Sequence, residues 1–562
     1  GKKLTNADSH TIVNNGNLTI QGSGTVDNVT HQKAALVNYG TAVLNGGTYT
    51  RSLENPENNK DNSGGNSYYT ILNDKGGNMT INAGVEVTNV GHFSSMIRNG
   101  GDENSSATSK LTIHGGVFSG GINTVKNDEL GELTITDGSF SNTSQCVIMN
   151  WHKANISGGT FETNEGAETV LFTAKYHDAR AIGKLTVTGG TYIYKTDQAL
   201  LCDRYNNNEK YLGTASIAGG IFSRQPEAKY IAAGYEANAN TNGTWTVSEK
   251  AGVTLVAQVG VNKYETLADA LAAAKNDDTV TLVADTTPLT GSVEINKSIT
   301  LDLNGKTINY TGDNQNTATQ THRALNVTGS KVTIKNGSIT TTVTGTDYST
   351  EFDAVVVKSG AEVTLEDMSI TINDAKGSCL YVFEGGKATV KSGSYTNENT
   401  SGEKLLLNQK DEKPQAIFVE GGTFNGRNPA NGDNSGNPST FLAEGYITLV
   451  NGNGTFTVSN TDEIPVTTAT VQDYLDGKYG SIDGKTLVLA AGEYKKIEFG
   501  RATAYAGSNT EYYLSGTKST PDAIKQDIAD HPNGGAGARE YVRYMSNVTL
   551  KAADGATVAI NG

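Results

Sequence analysis

The sequence predicts an all-β solenoid, a three-sided parallel β-helix, from a recurring strand motif, its spacing and a turn-rich composition. The motif reads apolar, Thr or Ser, apolar, any residue, a Gly-containing pair, a small or apolar residue, then an aromatic or aliphatic one. Clear copies are Val43-Leu44-Asn45-Gly46-Gly47-Thr48-Tyr49, Leu111-Thr112-Ile113-His114-Gly115-Gly116-Val117-Phe118 and Ile156-Ser157-Gly158-Gly159-Thr160-Phe161. Its third-position anchors are Ile20, Leu44, Ile81, Ile113, Ile135, Ile156, Val187 and Ile217, spaced 24, 37, 32, 22, 21, 31 and 30 residues apart. A second series, Leu303, Ile334, Leu365, Val390 and Val419, is spaced 31, 31, 25 and 29.

The chemistry of the motif explains the shape. In apolar-Thr-apolar the apolar side chains share one face and Thr takes the other. The glycines permit a sharp corner, after which the aromatic turns back inward. A strand of a few residues cannot bury its face alone, whereas stacked coils bury one continuous core. Variable spacing then places insertions at corners while the strands hold register. Asn, Thr, Ser and Gly dominate, with 66 glycines and only 36% apolar residues, a turn and strand composition rather than a helical one.

A second level of repetition marks modules. Tyr230-Ile231-Ala232-Ala233-Gly234-Tyr235 leads to Asn242-Gly243-Thr244-Trp245, and Phe441-Leu442-Ala443-Glu444-Gly445-Tyr446 leads to Asn453-Gly454-Thr455-Phe456. Each closes a series of coils with an Asn-Gly hairpin turn. After the first closure, Thr266 with Asp269 three residues on forms a capping-box-like start for the Leu/Ala run 267–275. A helix there covers the open end of the next coil stack and hides its strand edges. The same order returns at Thr470–Leu475 and Asp483–Leu489, and Pro521–Asp530 reads as a short helix. The expected organisation is a first module at 1–258, a second at 259–462 with a helical cap at about 264–275, and the opening of an incomplete third at 463–562. The sequence reads as a segment of a longer protein, with Gly1 as a cloning remnant.

The formal charge of −15 argues against nucleic-acid and anionic-membrane partners, which need clustered Lys and Arg. The three cysteines, Cys146, Cys202 and Cys379, lie far apart among apolar neighbours and read as small buried hydrophobes. No run of about 18 apolar residues is present, and neither are the short motifs of zincins, serine hydrolases or nucleotide-binding loops.

The coil motif, the Ala-Gly-Tyr and Glu-Gly-Tyr closures, and the Tyr264–Ala273 cap resemble the secreted, pectate-lyase-like right-handed parallel β-helix proteins of gut and other anaerobic bacteria. The resemblance covers nearly the whole chain. It implies a right-handed solenoid and a superfamily that holds lyases, hydrolases, esterases and non-enzymatic adhesins, so it carries architecture rather than activity.

Column by column, the coils offer little catalysis. The position after the anchor holds Asn45, Asn82, His114, Thr136, Ser157, Thr188 and Ala218, with no ladder of carboxylates. Lys335, Glu366 and Lys391 stack as a solvated charge column. The ligand-binding candidates are His114, Trp151 and His152, where the indole offers a sugar platform, and Tyr68 and Tyr69, an aromatic pair with polar edges. Register of the coils at 113, 135 and 156 is expected to bring His114 and His152 close; the competing reading makes all of these ordinary corner residues. Asn397-x-Asn399-x-Ser401 only partly resembles a calcium loop. Corner loops at 51–66, 99–109, 396–415 and 425–440 are polar and suited to partners.

The expectation is a non-catalytic, monomeric, extracellular, adhesin-like surface protein that binds glycans or host proteins through corner loops, with no cofactor or metal. The alternatives are a polysaccharide lyase or glycoside hydrolase working in a groove of one module, and a purely structural spacer.

Overall fold

The structure is a computed structural model of the 562-residue chain. It describes all residues except 31, 55–67, 90–93, 102–104, 142, 176–180, 196, 198–199, 203–210, 312–320, 342–350, 375–376, 400–404, 411–413, 433–439, 500–501, 506–511, 515–516, 520–539, 544–546 and 562. The expected helix at 521–530, residues 55–66 of the first corner loop and 433–439 of the last lie outside the described residues. The chain divides into two compact units, Gly1–Val253 with Val261–Lys263, and Thr254–Gly260 with Tyr264–Gly562.

In the first unit the strands form three sheets of 11, 8 and 8 members. Strands pair in parallel with the third strand further along the chain: Val117–Gly120 with Ser139–Ser141, Asn123–Asn127 with Cys146–Asn150, and Gly131–Ile135 with Lys153–Ile156. This connectivity is compatible with a three-sided parallel β-helix. The anchors Ile20, Leu44, Ile81, Ile113, Ile135, Ile156, Val187 and Ile217 pair in direct succession along the third sheet.

The aromatic that follows each glycine pair fills the core of the first sheet. Phe118, Phe140, Phe161, Tyr192 and Phe222 stack with centroids 4.6, 4.8, 5.1 and 4.7 Å apart and planes within 14° of parallel. Strand spacing in a sheet is about 4.8 Å, close to the preferred offset-stacking distance, so one ring per coil satisfies both. The glycines between serve two purposes. Gly159 has φ +99°, and a Cβ on Gly158 would run into the Thr136 carbonyl of the coil below.

The second sheet carries an inward asparagine at the end of most of its strands. Asn14, Asn38, Asn73, Asn99, Asn127 and Asn150 donate from Nδ2 to the next Oδ1 at 2.6, 2.7, 2.7, 2.7 and 2.8 Å, and Asn150 donates to Thr173 Oγ1 at 3.0 Å. Those described amides also reach the carbonyls of the following turn, as Asn127 does to Gly131 and Lys153. The ladder satisfies buried backbone acceptors where the chain leaves the sheet.

The first series closes as expected. Tyr235–Ala239 and Trp245–Glu249 form an antiparallel hairpin against Ile221–Phe222, with Gly243 at φ +82°. In the second unit Ile447–Val450 and Thr455–Ser459 repeat that hairpin. There helix α1 (Leu267–Ala273) is capped by Thr266, whose Oγ1 accepts from the Asp269 amide at 3.1 Å, and it buries Leu267, Ala270 and Leu271 on the core of this unit.

The second unit also pairs its strands in parallel, but its corners differ. Val332–Thr341 and Glu362–Ile372 run through the corner as long strands, with Asn336 and Asp367 at φ 60° and 51° in place of a glycine pair. One anchor is corrected here: Leu301, not Leu303, pairs with Ile334. Both leucines are buried, because strand alternation points each inward, so spacing alone did not separate them. Ile334, Leu365, Val390 and Val419 pair as expected. Beyond residue 462, helix α2 (Val471–Leu475) packs with Ile464, Val466, Leu487 and Leu489 in a separate hydrophobic cluster. Among the described residues no helix is long and apolar enough to cross a membrane.

Candidate aromatic binding face

The outward side of the second sheet in the first unit is the face that gathers aromatic and cationic groups. Its register places Val13, Val37, Leu72, Arg98, Lys126, Met149, Phe172 and Leu201 in one outward column. The column is apolar at both ends and cationic in the middle.

At the first end, Ala34, Val37 and Leu72 are buried beneath the half-buried Tyr39, Tyr68 and Tyr69. Tyr68 and Tyr69 meet edge to face at 5.2 Å and 65°, and the His10 ring lies 6.1 Å from Tyr68. The Lys75 ammonium stands 5.0 Å from the Tyr39 centroid, and the Arg98 guanidinium 5.6 Å from that of Tyr69. Asp128 holds Arg98 at 2.9 Å and Lys126 at 2.8 Å. Burial pushes the Tyr68 hydroxyl above its usual range. His10 is held below its ordinary value by burial and then by Lys33 and Arg51, which agrees with its Nδ1 accepting from the Ala34 amide at 2.9 Å.

A buried polar cluster positions this face. Arg51 and Glu54 pair at zero side-chain exposure. Arg51 donates to the Lys33 and Thr30 carbonyls at 2.6 and 2.7 Å. Glu54 accepts from the Tyr68 amide at 2.7 Å and from Asn89 Nδ2 at 2.8 Å, so one carboxylate fixes the backbone where Tyr68 begins. Asp27, beside it, accepts from the Ser52 amide at 2.8 Å and pairs with Lys3 at 2.6 Å.

The remaining sequence candidates are dispersed. Trp151 is 8% exposed, and its ring packs edge-on to Phe172 at 5.1 Å among Cys146, Met149 and Ala174. The indole is part of an outer apolar cluster rather than an open sugar platform. His114 is exposed, with Nδ1 3.0 Å from Thr136 Oγ1. His152 is half-buried, with Nδ1 3.1 Å from the Gly131 carbonyl, and burial holds its pKa below the ordinary value. The coils at 113, 135 and 156 are in register, yet His114 and His152 are not neighbours. His114 follows the strand end and His152 precedes a strand start, which separates them by five residues of strand, about 16 Å.

Elsewhere, Lys335 lies in register between Asp302 and Glu366, with Asp302 at 3.6 Å, extending the expected charge column by one coil. Asn397 spends its amide on the Asp374 carbonyl at 2.8 Å inside the fold, and no group of three or more His, Cys, Asp or Glu able to hold a metal occurs among the described residues. The three cysteines are buried, and burial pushes the Cys202 thiol up to about 11.

Sequence reasoning missed Tyr39, Lys75, Arg98 and His10. The signal was present in the asparagines: aligning Asn14, Asn38, Asn73 and Asn99 sets the second sheet's register and lines up Val37, Leu72 and Arg98 one residue earlier. Comparison with protein-family models, curated proteins and solved structures finds no match for this chain.

Proposed function

We propose that this chain is a secreted or cell-surface, adhesin-like bacterial protein of the right-handed, pectate-lyase-like β-helix kind, non-catalytic, that binds glycans or host proteins. The observation that carries this reading is the Tyr39, Tyr68 and Tyr69 face with Lys75 and Arg98 at its rim. Half-exposed tyrosines present both a flat apolar surface and a hydroxyl, which suits the faces and edges of sugar rings and also a polar protein surface. The rigid coil stack beneath supplies the preorganisation that keeps such a shallow face from losing its affinity to ordering.

The test is a glycan array and a mucin pull-down with the intact chain and with the Tyr68→Ala/Tyr69→Ala double variant. Retention by the parent, lost in the variant with its circular dichroism unchanged, is the expected result. No retention on either surface, or retention indifferent to both tyrosines, overturns the reading. Incubation with pectins, alginate and plant glycans tests the non-catalytic part: unsaturated products absorbing at 235 nm or new reducing ends would make the chain an enzyme.

A further inference from the structure

A second site arises in the other unit from three side chains at one corner of the five-stranded sheet. Glu351–Val357, Leu380–Val382 and Leu407–Gln409 stack in parallel there, with Val357, Val382 and Gln409 in register. The residue after each is Lys358, Phe383 and Lys410. Their amides continue the ladder, Phe383 to the Val357 carbonyl at 2.9 Å and Lys410 to that of Val382 at 2.8 Å. Coil stacking therefore sandwiches one aromatic ring between two lysines, each about 4.8 Å away in backbone height.

The side chains converge on that ring. Lys358 Nζ lies 3.7 Å from the Phe383 centroid, Lys410 Nζ 5.7 Å, and the Arg323 guanidinium 5.5 Å. Tyr381 braces the ring edge-on at 4.9 Å and 72°. Phe383 and Lys358 are half-buried, while Lys410 is exposed. Among the described residues neither Lys358 nor Lys410 makes an ion pair. Lys358, Phe383 and Lys410, with Ser359, Glu384 and Gly385, line an open cleft of about 640 Å³. That volume is in the range of small-ligand sites.

Two lysines and one carboxylate, Glu384, line this cleft, on a chain whose formal charge is −15, while Arg323, Glu294 and Asp353 act on Lys358 from outside the lining. The ring quadrupole holds ammonium groups together but leaves their N–H donors pointing outward, which an anion completes. Partial burial lowers the Lys358 pKa, with Arg323 adding to the effect, so an anion arriving at Lys358 relieves an existing electrostatic cost.

We propose that the Lys358–Phe383–Lys410 cleft binds an anionic saccharide, a sugar whose sulfate ester or carboxylate sits between the two lysine ammoniums. The anionic character follows from the cleft alone; the choice of a saccharide rests on the glycan-binding reading above. The cleft and the tyrosine face belong to different units, so each is tested by its own variants.

Isothermal titration of the intact chain with a heparin-derived O-sulfated disaccharide, a galacturonate disaccharide and neutral cellobiose tests this. The expected result is saturable binding of at least one anionic sugar, at least tenfold tighter than cellobiose and weakened as NaCl rises from 0.05 to 0.5 M, roughly the range over which the Debye length falls below the size of the cleft. Binding of the sulfated sugar alone, of the uronate alone or of both supports the proposal and identifies the head group. Lys358→Gln/Lys410→Gln is expected to lower that affinity at least tenfold, and Phe383→Leu to lower it by a smaller factor, with melting temperatures within a few degrees of the parent. Anionic sugars that bind no better than cellobiose, or binding untouched by the double lysine variant, overturn it. Loss of binding in Tyr68→Ala/Tyr69→Ala with Lys358→Gln/Lys410→Gln unaffected would overturn this site and leave the general glycan-binding reading standing.

Discussion

Replacing Asn99 by alanine removes the middle rung of the asparagine ladder, and the cost can be worked from its contacts. Asn99 Nδ2 donates to Asn127 Oδ1 at 2.7 Å and to the Glu132 carbonyl at 3.1 Å, and Oδ1 accepts from Asn73 at 2.7 Å. Asn73 keeps the Gly77 and Lys110 carbonyls at 3.0 and 2.9 Å, so its amide stays satisfied. The Asn127 oxygen and the Ser109 carbonyl, 3.5 Å from Nδ2, lose a donor in buried surroundings, the Glu132 carbonyl loses one where it is partly buried, and Asn99 and Asn127 are both fully buried. At about 1–3 kcal/mol for each buried acceptor deprived of its donor, the loss comes to about 3 kcal/mol. Because each strand of these parallel sheets pairs only with its neighbours, opening is local, and the fitting assay is amide hydrogen exchange rather than a single global midpoint. Protection of Ile97–Asn99 and Asn123–Asn127 should fall roughly 100-fold, since 1.4 kcal/mol is a factor of ten. Asn14→Ala is the internal control. Asn14 sits at the end of the ladder, and its Gly16 and Thr41 acceptors are only partly buried, so water can replace the amide there and the Asn38 oxygen is the single buried acceptor deprived of its donor. Its cost should be about 1.5 kcal/mol, half that of Asn99→Ala. Equal losses of protection in the two variants would refute the argument that burial of the ladder, rather than its mere presence, stabilises the coils.

The aromatic column gives a second expectation: Phe140→Ala, between rings at 4.6 and 4.8 Å, should cost about 3–5 kcal/mol, and Phe140→Leu much less, read from urea unfolding. Glu54→Gln should destabilise by about 3 kcal/mol, because it removes the carboxylate paired with the fully buried Arg51 guanidinium and leaves Asp27 as the counter-charge beside it, measured by thermal unfolding. Stability should also fall as pH drops below about 6.5. His10 and His152 both have folded-state pKa values below the ordinary one, so the unfolded chain takes up protons first and unfolding is favoured from there down to the folded values. His10→Gln/His152→Gln should flatten the stability profile below about pH 6.5, and an unchanged slope would rule out these two groups as its source.

The local pattern explains what was legible. Apolar-Thr-apolar followed by glycine specifies a strand and a corner within a few residues, so the eight third-sheet anchors align as expected. The Asn-Gly hairpins and the Thr266-capped helix are likewise short-range chemistry. The alternation rule also has a limit, shown by Leu301 and Leu303: both face inward, and only pairing with the next coil decides which is the anchor.

The functional faces are a different matter. Tyr39, Tyr68, Tyr69 and Arg98 are spread over 60 residues of sequence, and Lys358, Phe383 and Lys410 over 53. They become neighbours only because coils of unequal length stack at one fixed height. The same stacking covers Trp151 with an apolar cluster and sends His114 and His152 to opposite ends of a strand. The sequence by itself determined the strand type, the glycine corners of the first unit, the Asn-Gly hairpins and the inward anchor columns, because these depend on side-chain alternation and backbone freedom over a few residues. Only the tertiary structure decided which outward side chains share a surface, because that depends on the register between coils and on what each corner loop leaves uncovered.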